Sequence, residues 1–247
     1  MKILYWQVSA AVSCLLISFV ATADTQIEDA KEALNQLRQQ QAVEFGYERH
    51  SRFDDRTMLE LHQPQVKEQP WQLLQENAET PSAHRLDEYR RMKRDEEAAS
   101  ETTDEEQQSV KLSLTTLVQE QTLQYLDQRQ WQGQTLRAYS FEPNLEKFSE
   151  HNDKLQGHLY LSVDSEQLKG LSITLQESFS PAMSVKLERF KLQIELMQIE
   201  REGKTYTVPQ RTEEQVAGSY LYFKDFDDYT VREYSDYQVF PKPASDK

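Results

Sequence analysis

Val185-Lys-Leu-Glu-Arg-Phe190-Lys-Leu-Gln-Ile-Glu-Leu196 alternates apolar and polar residues with the period of two that belongs to a half-buried strand. The alternation slips once. Val185 and Leu187 occupy one parity, whereas Phe190, Leu192, Ile194 and Leu196 occupy the other. One extra residue near Glu188-Arg189 would return all six side chains to the same face, so the stretch predicts a long strand carrying a β-bulge.

Strand signals continue on both sides. Downstream, Gly203 marks a turn, Tyr206 to Pro209 reads as a strand stopped by proline, and 216–226 and 229–240 read as a closing pair around an Asp225-Phe226-Asp227-Asp228 turn. Upstream, Thr135 to Phe141, Gly157 to Val163 and Leu171 to Leu175 alternate in the same way, with a short helix expected around Leu145 to Phe148. Further upstream the period changes. Ile27, Ala30, Leu34 and Leu37 recur at helical spacing over 25–41, and Leu86, Tyr89 and Met92 do so in a charged segment over 82–99. Between these helices lie a hairpin built on Val43, Phe45, Tyr47 and Met58 to His62, and a short strand from Trp71 to Leu74. About ten strands joined by short connections, without a βαβ unit, predict an α+β fold with a long antiparallel sheet. The run Glu101 to Glu106 has no apolar side chain to bury, so an acidic flexible loop is expected around 100–108 within one domain spanning 24–247.

Residues 1–23 have the pattern of a cleaved export signal. Lys2 is followed by an apolar stretch from Val12 to Val20, and Ala21-Thr22-Ala23 gives the small-residue cleavage pattern. That stretch is shorter than the roughly 20 residues needed to cross a bilayer, so an integral membrane protein is not expected. Ala11 stands where a lipobox has a large apolar residue, which argues against lipidation at Cys14. Cys14 is the only cysteine and leaves with the signal, removing disulfide and thiolate chemistry from the mature chain. The formal charge of −14 becomes −15 when Lys2 is lost. Such a surface repels nucleic acid and suits a partner with a basic surface.

Catalytic patterns are missing. The five histidines, at 50, 62, 84, 151 and 158, have no zinc-helix spacing. The six glycines form neither a phosphate loop nor a nucleophile elbow. Asp225 to Asp228 lacks the spacing, glycine and terminal glutamate of a calcium loop. No enzyme activity, cofactor or metal is expected.

Several longer patterns carry a resemblance. Trp71-Gln-Leu-Leu with Pro81-Ser, Tyr139-Ser-Phe-Glu-Pro143, Gly157-His-Leu-Tyr-Leu-Ser-Val163, Phe179-Ser-Pro181, Lys186 to Phe190, Gly218 to Phe226 and Tyr234-Ser-Asp-Tyr237 together resemble a family of uncharacterised exported proteins of Gram-negative bacteria. Ala78 departs from that pattern, which has glycine there. More distantly, the meander of long strands resembles the LolA/LolB-type lipoprotein-carrier superfamily. That resemblance implies a periplasmic protein with a half-open barrel, helices packed on its concave side and a ligand with an acyl chain or similar hydrophobic body.

Two functions follow as expectations. In the first, the protein carries or senses a lipid, lipoprotein or other hydrophobe in the periplasm. Its groove would be lined by Phe141, Leu159, Leu161, Ile173, Leu175, Phe190, Leu192, Ile194, Tyr220 and Tyr222. In the second, the same face is a filled core and the domain is an envelope scaffold that docks a basic partner.

Overall fold

A computed structural model describes residues 25–101, 114–221 and 224–242. The expected signal at 1–23, positions 102–108 of the acidic loop and Tyr222 lie outside the described residues.

Helix α1 covers 25–39, and a single 3-10 turn at Gln40–Ala42 leads from it into the sheet. Strands β1 (Val43–Arg52), β2 (Thr57–His62) and β3 (Trp71–Glu76) precede helix α2 (Ala83–Glu101). After the one-turn helix α3 (Leu114–Leu117) come β4 (Gln124–Trp131) and β5 (Gln134–Phe141). A 3-10 stretch at Glu146–Lys154 leads into β6 (Leu155–Ser162), β7 (Leu168–Leu175) and β8 (Phe179–Ala182). The long strands β9 (Val185–Arg201), β10 (Lys204–Tyr220) and β11 (Lys224–Pro241) complete the sheet.

All eleven strands belong to one antiparallel sheet in the order β3-β2-β1-β11-β10-β9-β7-β6-β5-β4, with β8 added beside β9. The sheet is unclosed, in the manner of a half-open barrel: β3 and β4 stand at opposite ends of the order. The bulge read from the alternation is present. Ala217 pairs with Arg189 and Gly218 pairs with Leu187, which leaves Glu188 as the extra residue. Leu187, Phe190, Leu192, Ile194 and Leu196 are consequently buried together.

Two expectations for the C-terminal strands are corrected. Pro209 does not end a strand. A second bulge between Pro209 and Arg211 leaves Gln210 unpaired, and β10 runs on through a proline whose missing N–H a bulge tolerates. Residues 216–226 are likewise two strands: Tyr220 pairs with Lys224, and the expected turn at Asp225 to Asp228 is paired β11 backbone opposite Val216 to Ser219. Leu221, at φ +50°, starts the true turn. The segment folds back as a hairpin, with the Tyr220 and Phe226 rings 4.9 Å apart across it.

Directly opposed residues of an antiparallel pair share a face. The register therefore carries one face across the sheet through Tyr139, Leu159, Leu171, Ile194, Thr212, Arg232, Ser51 and Met58. Both long helices pack on this inner face, at different ends. Helix α1 lays Ala30, Ala33 and Leu34 on β5, β6, β7 and β9. Helix α2 lays Tyr89, Leu86 and Met92 on β2 and β3 around Met58 and Leu73. Near the β9–β10 turn, Tyr206, Val208, Met197 and Ile199 pack with Phe45, Tyr47 and Tyr237 in a third cluster.

Candidate functional site

The proposed lining residues are mostly brought together. Phe141, Leu159, Leu161, Ile173, Phe190, Leu192 and Ile194 are buried in one cluster, and Leu175 packs against its edge. Tyr220 stands apart in the β10–β11 hairpin, 47 % exposed. Over the cluster sits α1, whose Ala30 and Leu34 have no exposed surface. Alanines at 30 and 33 let the helix backbone approach the sheet closely, Leu34 is buried in the same cluster, and Leu37 packs against it.

Polar clamps hold this helix in place. Arg137, on the inner face of β5, donates to Asp29 of α1 at 2.5 Å, and to the backbone carbonyls of Ser162 at 3.0 Å and Ser165 at 2.8 Å. Arg38 pairs with Glu120, and Gln40 accepts from the Thr207 backbone N–H at 3.1 Å. Among the described residues, three buried polar atoms of this region lack hydrogen-bond partners: the Tyr139 hydroxyl, Gln26 Oε1 and Glu120 Oε1, the last held only by its ion pair with Arg38. Burial is the main reason that the Tyr139 phenol is pushed up to about 12.

A second, ionic site holds α2. Glu60 is 2 % exposed. Its carboxylate accepts from Arg49 Nε and Nη2 at 2.9 Å each, from the Tyr89 hydroxyl at 2.8 Å and from Ser51 Oγ at 3.2 Å. Lys93 Nζ lies 3.8 Å from the same group. Trp71 receives both cations, with the Arg49 guanidinium 4.2 Å and Lys93 Nζ 5.0 Å from its ring centroid. Burial works against the Arg49 charge, but the facing Glu60 carboxylate together with the Tyr47 and Tyr234 phenols outweighs it and holds the guanidinium above its ordinary value. Burial, then the Glu60 charge, pushes the Tyr89 phenol well above its usual range. Sequence reading passed over this cluster. Its signal was the parity of Glu60, which shares the inward face of β2 with Met58 and so had to be paired.

At the far edge of α2, Arg85 donates to Glu76 of β3 at 2.7 and 2.8 Å. Chiefly through these bonds, the Glu76 carboxyl is held below its ordinary range. The histidines remain dispersed. His50 and His84 are exposed. His62 Nδ1 meets the Phe45 carbonyl at 3.0 Å, and the His151 ring lies tilted against Phe179, 4.3 Å between centroids. His158 is half-buried, and burial lowers its pKa. Among the described residues, no three His, Cys, Asp or Glu side chains are grouped to hold a metal ion. No described helix is long and apolar enough to cross a membrane. No family model, curated protein or solved structure matches the chain.

Proposed function

We propose that this chain is a non-enzymatic interaction domain of the bacterial cell envelope, exported to the periplasm, whose inner face is a core filled by its own helix. The observation that carries this reading is the seating of α1: Ala30, Ala33 and Leu34 occupy the strip that a hydrophobic ligand would otherwise fill. With the inner face covered at both ends, recognition passes to the outer surface, where the mature chain's excess of 15 negative charges favours a partner with a basic surface.

A carrier of a lipid, lipoprotein or acyl chain is the second reading, and one observation favours it. The unpartnered Tyr139 hydroxyl and Gln26 carbonyl are groups that a ligand's polar end could satisfy if α1 swung aside as a lid. The burial gain of about 0.8 kcal/mol per CH₂ would then drive an acyl chain into the strip.

Native mass spectrometry of the mature protein, released gently from the periplasm and then extracted with solvent, separates the two. The filled-core reading expects the bare chain mass and no extractable lipid. A stoichiometric lipid or acylated peptide would overturn it in favour of the carrier.

A further inference from the structure

The fold departs from regularity several times around one cleft of about 250 Å³, to which Trp131, Gln134 and Glu195 come from the sheet face opposite the helices and Leu196 from the edge of the core. The register shift between Tyr160 and Leu161 makes Lys169 the extra residue of a bulge in β7, and the shift after Pro209 makes Gln210 the extra residue in β10. Both extra residues line the cleft. Bulges re-aim side chains, and here both bulged residues come to the same cleft. The β4–β5 turn adds a third irregularity. Gln132 and Gly133 both have positive φ, +48° and +74°, which matches the tight two-residue hairpin turn that places Trp131 directly opposite Gln134. The fourth is Gly170, where a Cβ would stand 2.4 Å from the Trp131 ring, so only glycine lets the indole lie against the sheet.

The lining has a distinct chemistry. Five glutamines, at 132, 134, 167, 198 and 210, line the cleft together with Trp131, Leu196 and Met197, and none of the five amide side chains has a hydrogen-bond partner among the described residues. Each amide offers two donors and one acceptor at no charge. Glu195, on the cleft wall, is tied to Arg211 at 3.1 Å, whereas Lys169 has no ion-pair partner among the described residues. Tyr160 stacks on one side of the indole at 4.6 Å and 13°, and it is not part of the lining. A rigid aromatic plate, a ring of neutral bidentate amides and one ammonium match a polyhydroxylated ring with an apolar C–H face. The volume lies a little below the roughly 300 Å³ at which sites for drug-sized ligands begin, which suits a single sugar unit.

We infer that this cleft is a saccharide-binding site: a sugar ring stacks on Trp131, its hydroxyls bond to the glutamine amides, and Lys169 takes an acidic or ether oxygen. The inference does not rest on whether the inner face is filled or open, since Trp131 and its stacking partner Tyr160 stand on the other side of the sheet. Saturation-transfer NMR and titration calorimetry of the full chain with maltotriose, cellotriose, chitotriose and trigalacturonate test it. At least one is expected to bind, with trigalacturonate favoured if Lys169 supplies the main polar contact. The double substitution Gln198→Ala, Gln210→Ala removes two exposed amides and is expected to lower affinity about tenfold, as two lost hydrogen bonds would. Its thermal midpoint should stay at the parent value. Trp131→Ala should abolish binding, but it also removes the stack on Tyr160, so the double variant decides the case. Absence of saturation transfer from all four sugars would overturn the inference. So would an affinity unchanged by the double substitution, because the sugar would then sit elsewhere.

Discussion

At the scale of single residues, two inward-facing polar groups make opposite predictions. Glu60 holds Arg49, Lys93, Tyr89 and Ser51 to one buried carboxylate. Glu60→Gln strands the two cations, and unfolding in urea should show a loss of about 3 kcal/mol, the lower end for breaking a buried pair. An unchanged midpoint would mean that water reaches the cluster. The Tyr139 hydroxyl has no partner to lose. Tyr139→Phe should therefore leave stability unchanged or raise it by about 1 kcal/mol, measured the same way. A clear loss would show that this hydroxyl is satisfied by something bound there. Glu60 could have been found from the alternation of Met58-Leu-Glu60, but the orphaned hydroxyl of Tyr139 could not. Its position was legible, whereas its lack of a partner depends on how α1 sits over β5.

At the scale of elements, α2 is fastened by one charged pair at its β3 edge, and that pair has a pH signature. The bonds from Arg85 hold the folded Glu76 carboxyl below its ordinary value of 4.5. A depressed folded pKa contributes stability that is complete above that value and is lost as pH falls through the folded pKa. Acid titration of stability should thus show a component below pH 4.5 that Arg85→Ala removes. An identical acid limb in the variant would contradict the assignment. How far these elements could be read in the sequence followed from their patterning. The bulge at Glu188 was legible because five buried side chains flank it on alternating parities. The turn after Tyr220 was not, because Leu221 takes φ +50° without glycine, asparagine or proline to mark it. Strand β4 also escaped. As the sheet's edge it is mostly exposed and rich in glutamine, so it has no buried face to impose an alternation. The candidate saccharide cleft was hidden for the same reason: it is assembled from bulges, a hairpin tip and surface amides, none of which carries a periodic signal.

At the scale of the whole molecule, the question is whether α1 is part of the core or a cover over it. The sheet is long and unclosed, and its inner face at the β5–β9 end is covered by α1 together with Leu117 of α3, Val118, Leu123 and Phe148. If α1 is core, its departure exposes Leu159, Leu171 and Ile194 together, and that opening should cost as much as unfolding the sheet. If it is a lid, it should open at a much smaller cost and leave the strands protected. The acidic surface gives a separate expectation, that binding to a basic partner weakens as salt rises from 50 to 500 mM, on the order of the change in screening length. The most direct measurement is native-state hydrogen exchange of the α1 amides around Ala30 to Leu34, compared with those of β6 and β7. The filled-core account predicts that both exchange with the same opening free energy, equal to global unfolding. Exchange of α1 several kcal/mol below the strands, as expected for sub-global opening, would contradict it and make the helix a lid.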